Sequence, residues 1–226
     1  MISFVFITDI HGMYDIIPKI FEREDPNYVL IGGDLTDGGP LNEVIPALRK
    51  IPVPTFVIPG NCDPKELIQV LDTSTSNAIS LHKKSIELGN ITITGFGGSN
   101  TTPFNTQFEM PEKEIEVGLE ETLNGKKKNR WNILLTHTPP YGALDRICED
   151  GSMHVGSTSI AAVIQDFDII CCGHIHEQKG IMECKQRICV NPGPALEGNY
   201  AIITLGDEKE PVIKLRNIHI KYGEKK

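Results

Sequence analysis

Asp9 and His11 in ITDIHG, Asp34 in IGGDLTD, Asn61 in PGNCD, His137 in LLTHTPP, and His174 and His176 in CCGHIHE can each donate an electron pair to a cation. Each stretch follows a short apolar, β-branched run: ISFVFI, YVLI, TFVI, WNILL and DIICC. Such runs read as buried strands of a sheet covered on both faces. Polar residues just past the carboxyl ends of those strands lie where open α/β sheets put their sites. The paired residues of Asp9-Ile10-His11 and His174-Ile175-His176 are two apart. Extended backbone would project both members of a pair to one side, with Ile10 and Ile175 facing away. Carboxylate, amide and imidazole donors together suit Mn²⁺, Fe, Zn²⁺ or Ni²⁺ better than Ca²⁺ or Mg²⁺ alone. Two divalent cations sharing one carboxylate are suited to in-line attack of water on phosphorus.

Hydrophobic periodicity predicts the elements that carry these residues. Strands are expected near 2–7, 28–31, 53–58, 91–95, 131–136 and 168–172, with helices near 13–24, 41–50, 64–71, 112–123 and 157–166. After His176, the segments 179–184, 187–190, 199–205 and 211–220 read as successive strands joined in part by tight turns such as Asn191-Pro192-Gly193, which suggests a second, more antiparallel sheet. Asp34 or Asn61 taken singly would serve as a turn or cap residue, since Gly-Asp and Gly-Asn are common after strands. A turn explains neither the two spaced pairs nor His137.

The order D-x-H, G-D, G-N-x-D, H-T-P and G-H-x-H, running from Asp9 to His176, resembles the calcineurin-like metallophosphoesterase family. The resemblance implies an α/β fold of two packed mixed β-sheets flanked by helices, an α/β/β/α sandwich. It implies two divalent metal ions, Mn²⁺ first, with Fe, Ni²⁺ or Zn²⁺ as alternatives. One ion would take Asp9, His11, Asp34 and His176. The other would take Asp34, Asn61, His137 and His174, so that Asp34 is the bridge. Asp34, Asn61, Cys62 and His137 are then the expected catalytic residues.

Many family members carry a His after the Asn of G-N-x-D, where it can protonate the leaving oxygen; this chain has Cys62. A thiol is a poor substitute for an imidazolium. The G-N-C-D variant resembles the branch containing small phosphodiesterases, and GFGGSNTTPF, HTPPYGALD, HVGSTSI and VNPG resemble a subgroup that includes cyclic-nucleotide phosphodiesterases. The expected activity is hydrolysis of small phosphodiesters, cyclic nucleotides among them. A small-molecule phosphomonoesterase and a non-catalytic binding module of the same fold are the alternatives. His154 in MHVGS and Cys62 are the expected substrate contacts. For His154 the argument is a Gly-rich turn opening a Ser/Thr-capped helix, which can bring backbone N–H groups to an anion. Asp63 and Glu177 are expected to orient ligand imidazoles or the backbone beside them. His82 and His219 are expected to be surface or sheet residues without a role.

At 226 residues the chain suits one domain spanning 1–226. It opens directly on a strand-like run, without a basic leader or an apolar stretch near 18 residues, so no membrane span and a cytoplasmic location are expected. Cys62, Cys148, Cys171, Cys172, Cys184 and Cys189 form no C-x-x-C pair and are expected to be reduced. A formal net charge of -8 disfavours nonspecific nucleic-acid binding, which relies on Lys and Arg neutralising phosphates. Lys126-Lys127-Lys128 after Asn124-Gly125 reads as a solvated turn. Oligomeric state is not legible.

Overall fold

Along the first strand, β1 (Ile2–Ile7), Phe4 and Phe6 pack into one core while Val5 and Ile7 pack into another. A strand apolar on both faces must be covered on both, and this one lies in the middle layers of the molecule. The computed structural model describes residues 1–74, 76–147, 152–206 and 210–219. The strands following β1 are β2 (Tyr28–Ile31), β3 (Thr55–Val57), β4 (Ala78–Ser80), β5 (Lys84–Leu88), β6 (Ile91–Phe96), β7 (Ser99–Asn100) and β8 (Glu109–Met110). Then come β9 (Trp131–Thr136), β10 (Arg146–Ile147), β11 (Met153–His154), β12 (Ile169–Cys171), β13 (Gly180–Cys184), β14 (Arg187–Asn191), β15 (Asn199–Leu205) and β16 (Val212–Asn217). The helices are α1 (Ile16–Phe21), α2 (Val44–Leu48), α3 (Leu67–Thr73), α4 (Glu112–Leu123) and α5 (Thr158–Val163).

Two six-stranded mixed sheets result, ordered β16-β15-β1-β2-β3-β4 and β13-β14-β12-β9-β6-β5. The strands that end at the site, β1, β2 and β3 in one sheet and β9 and β12 in the other, run parallel within their sheets. Between the sheets lies a core of Phe4, Phe6, Leu30, Phe56, Ile133 and Ile169 with their neighbours. Ile16, Ile20, Leu48 and Leu67 of α1 to α3 cover the outer face of the first sheet. Ile115, Leu119 and Ile160 of α4 and α5 cover the outer face of the second. Each such side chain, fully buried, contributes about 1.5–3 kcal/mol relative to exposure. This is the sandwich of two mixed sheets flanked by helices that the resemblance implied.

The four C-terminal strands do not make a sheet of their own. β13 and β14 extend the second sheet, whereas β15 and β16 pair antiparallel beside β1 in the first. Residue 220 of the last predicted strand lies outside the described residues. The predicted helix 13–24 is shortened to α1, and the predicted helix 41–50 starts as a 3-10 turn (Leu41–Glu43) before α2. Of the strands not predicted, β4 has three residues at the edge of the first sheet, β5 is an edge strand with a largely exposed, polar pattern, and β7, β8, β10 and β11 have two residues each, too few to show a period.

The lysine run is not uniformly solvated. Lys126 Nζ is buried over the Phe167 ring, 3.7 Å from its centroid, while Lys128 pairs with Asp166 at 3.2 Å. His82 is a sheet-edge residue whose Nδ1 accepts from Gly97 N at 3.0 Å, and His219 is exposed. Cys62, Cys171, Cys172, Cys184 and Cys189 are free thiols, and Cys148 lies outside the described residues. No helix among the described residues is long and apolar enough to cross a membrane.

Candidate metal centre

Each buried strand that ends at the site is followed by a tight loop, and the loops are tied to one another. Asp9 N donates to Gly33 O at 3.0 Å, Ile10 N and His11 N both donate to Asp34 O at 2.8 and 2.9 Å, and Gly38 N donates to Cys62 O at 2.7 Å. Gly60 is required by close approach, since a Cβ there would lie 2.1 Å from Asp34 Oδ1. Gly173 is required too, its Cβ falling 2.5 Å from Asp9 Oδ2. The spaced pairs converge by a different route from the one expected. Asp9, His11, Asp34 and His174 have φ of 55, 46, 51 and 67°, so the first pair sits in left-handed backbone and the second turns at His174 into the 3-10 helix His176–Gln178, neither pair being extended. Each such residue costs about 1–3 kcal/mol and persists only where the surroundings over-determine it.

These turns bring acceptor atoms together. His137 Nδ1 lies 2.8 Å from Gly32 O, and because a carbonyl only accepts, Nδ1 carries the proton. Its Nε2 then faces Asn61 Oδ1 at 2.9 Å and Asp34 Oδ2 at 3.3 Å. With a cation in place of any proton on Nε2, these three atoms offer three lone pairs toward one point. His11 Nε2 approaches the same Asp34 Oδ2, at 3.7 Å, buried and without a hydrogen-bond partner. His11 Nδ1 meets the Asp37 carboxylate, and His176 Nε2 lies 3.4 Å from Asp9 Oδ1. His174 donates its backbone N–H to Asp9 Oδ2 at 3.2 Å, and its ring lies 5.0 Å from that of His137. Asp9, His11 and His176 could hold one ion, and Asp9, Asp34 and His137 form a second overlapping group. His11, Asp37 and Cys62 form a third at the mouth.

Electrostatics follow from this crowding. Burial alone would raise the Asp34 pKa, but His137, beside it, holds the carboxyl well below the usual range. For Asp9 the same burial is outweighed by its hydrogen bond with His176 and by His137. His137 is pushed up to about 9: burial opposes its charge, and Asp34 more than compensates. His174 is pushed down to about 4, by burial and then by repulsion from His137. Burial, then Asp34, raises the Cys62 thiol, which is therefore protonated at neutral pH.

Asp63 does hold the backbone, as expected. Its buried carboxylate accepts from Gly60 N at 2.9 Å, Leu35 N at 3.1 Å, Thr36 N at 2.8 Å and Thr36 Oγ1 at 3.0 Å. It thereby clamps the loop of Asp34 to that of Asn61. Burial and the Asp34 charge push its pKa up to about 6 against those donors. Glu177 is exposed on the 3-10 turn His176–Gln178.

His154 lies outside these groups. Its Nδ1 is 2.7 Å from buried Asp145 Oδ1, and its ring is 5.2 Å from that of Tyr141. It is joined to the His137 loop indirectly: Asn100 Nδ2 donates to Val155 O at 3.0 Å, and Thr138 Oγ1 donates to Asn100 Oδ1 at 2.9 Å. The N–H groups opening α5 are not free for a substrate anion. The chain's own Glu112 carboxylate accepts from Thr158 N at 3.2 Å and Ser159 N at 2.9 Å.

Sequence reasoning missed Asp37, Thr106 and Glu109. Asp37 had a visible signal, an acid three residues after Asp34. Asn61 Nδ2 donates to Thr106 Oγ1 at 3.0 Å, a contact brought about by a turn 45 residues further on.

Comparison with known proteins agrees with the geometry. An uncharacterized protein of Methanocaldococcus jannaschii is 39% identical over 199 residues, covering 84% of this chain and 87% of the relative. The fold is similar to that of a Thermus thermophilus protein, with TM-score 0.73 and 18% identity over 95% of this chain and 98% of that one. It is also similar to that of a dimetal phosphatase from Danio rerio, with TM-score 0.64 and 12% identity over 96% and 97%. Residues 2–178 match the family model of the calcineurin-like phosphoesterases. Sandwich, loop order and sequence match together make the chain a member of the calcineurin-like phosphoesterase family.

Proposed function

We propose that this chain is a dinuclear metal-dependent phosphodiesterase acting on small phosphodiesters. Membership of the family implies phosphoric ester hydrolysis with divalent metal. The observation supporting the finer reading is that two sets of acceptor atoms meet at Asp34 Oδ2: Asn61 Oδ1 with His137 Nε2, and the orphaned His11 Nε2, which groups with Asp9 and His176. In this reading Asp9, His11, Asp34 and His176 hold one ion, and Asp34, Asn61, His137 and His174 hold the other, with Mn²⁺ first among candidates. Bound there, a metal pair polarises the phosphoryl oxygen and lowers the pKa of water.

The chain's own residues then decide which esters are good substrates. Gly32 O keeps the His137 proton on Nδ1 and its Nε2 lone pair toward the site. Cys62 is a neutral thiol at the position where an imidazolium would protonate a leaving oxygen. General acid catalysis is typically worth about 100 to 10,000-fold, so substrates must supply that advantage through an acidic leaving group. Aryl phosphodiesters therefore fit better than alkyl monoesters; cyclic nucleotides, whose leaving oxygen is a ribose hydroxyl, stay among the candidate substrates through the sequence resemblance and not through leaving-group acidity.

With Mn²⁺ present, kcat/KM for bis(p-nitrophenyl) phosphate is expected to exceed that for an alkyl phosphomonoester by at least about 100-fold. Steady-state rates on a panel of aryl diesters, cyclic nucleotides and alkyl monoesters check this. Equal efficiency on alkyl monoesters would support a monoesterase instead, and metal uptake without turnover of any of them would support a binding module.

A further inference from the structure

The loop between β7 and β8 reaches Asn61 through the side chain of Thr106, whose hydroxyl stands 3.0 Å from Asn61 Nδ2. Behind it lies Glu109. Oε1 of Glu109 accepts from Thr106 Oγ1 at 2.6 Å, Thr106 N at 2.8 Å and Thr102 Oγ1 at 2.5 Å, and Oε2 accepts from Thr102 N at 2.9 Å. Burial opposes its charge, but the hydrogen bonds from Thr102 and Thr106 dominate and hold the carboxyl down to about 2. An ionised carboxylate can only accept.

A direction of hydrogen bonding follows. Thr106 has one hydroxyl proton, and Glu109 takes it. What Thr106 Oγ1 offers Asn61 is therefore a lone pair, which only the amide NH₂ can satisfy. With Nδ2 committed to Thr106, Oδ1 must face His137 Nε2, as it does at 2.9 Å. The constraint matters once a cation is to take the place facing His137 Nε2, where a flipped Asn61 amide would present hydrogens instead of its oxygen.

We propose that Thr106 and Glu109 are positioning residues for Asn61, acting in series to keep its amide oxygen turned toward the metal centre. This rests on the reading in which Asn61 holds a cation. The loop backbone is anchored separately, by Phe108 N donating to Asn61 O at 2.9 Å and Ser99 N donating to Phe108 O at 3.1 Å. Loop closure and amide orientation can therefore be separated by mutation.

Titration of Mn²⁺ into metal-free protein by calorimetry, alongside the metal-free melting temperature, tests the proposal. Outer-shell partners of metal ligands are typically worth about 10 to 100-fold in metal affinity. Thr106→Val keeps the shape and deletes the hydroxyl, so affinity should fall by that factor at one of two sites and stay unchanged at the other. Thr106→Ser should restore wild-type affinity, and Glu109→Gln should weaken the same site. Unchanged affinities in Thr106→Val would overturn the proposal. Equal weakening of both sites with a lowered melting temperature that Thr106→Ser does not repair would also overturn it, leaving loop closure as the only role. Wild-type protein that takes up fewer than two ions would sink the reading beneath it, and the proposal with it.

Discussion

Changing Asp34 to Asn is expected to lower phosphodiester hydrolysis by at least about 1,000-fold, a loss of about 4 kcal/mol of transition-state stabilisation. The direction of the loss comes from one backbone contact. Cys62 N donates to Asp34 Oδ1 at 2.8 Å, so an amide at position 34 must give its single oxygen to that N–H. Its NH₂ would then occupy the place of Oδ2, facing His137 Nε2 and His11 Nε2, which lie 3.3 and 3.7 Å from Oδ2. A shared acceptor would become a donor without a change of shape. Circular dichroism should match wild type while both rate and metal uptake fall. A variant retaining more than a tenth of wild-type kcat would show that Asp34 is no bridge.

Asp63→Ala is expected to be the most damaging change to stability near the site, at about 3–5 kcal/mol. Three backbone N–H groups and one hydroxyl, all buried, lose their only acceptor at once. For a chain of this size each kcal/mol corresponds to about 2–4 °C, so a fall in melting temperature of about 10 °C is expected. Activity should fall further than the folded fraction does, because the clamp between the loops of Asp34 and Asn61 opens. Denaturant unfolding within 1 kcal/mol of wild type would contradict this role.

The sandwich was legible because its central strands, such as ISFVFI and WNILL, are apolar on both faces and long enough to show it. The helix 112–123 was legible for a similar reason, a 12-residue amphipathic pattern opening just after Pro111. Edge strands carried less signal. β13 to β16 were recognised as strands, yet their division between two sheets depends on partners distant in sequence, which local pattern does not encode. The seven residues proposed as ligands were visible because Asp, Asn and His directly after apolar runs are conspicuous. The backbone that brings them together was not, since nothing local announces that Asp9, His11, Asp34 and His174 would adopt left-handed conformations. Thr106 and Glu109 were invisible for a different reason. Threonine and glutamate are common surface residues, and only the folded loop makes one of them orient Asn61. Asp63 stood out only by adjacency, and its four donors come from loops that meet in the tertiary structure.

The central claim is that two cations share Asp34, and anomalous diffraction from crystals soaked in Mn²⁺ tests it most directly. Two anomalous peaks about 3.5–4 Å apart are predicted, one beside His11 and His176, the other beside Asn61 and His137, with Asp34 between them. A single peak, or two peaks of which neither touches Asp34, would contradict the account.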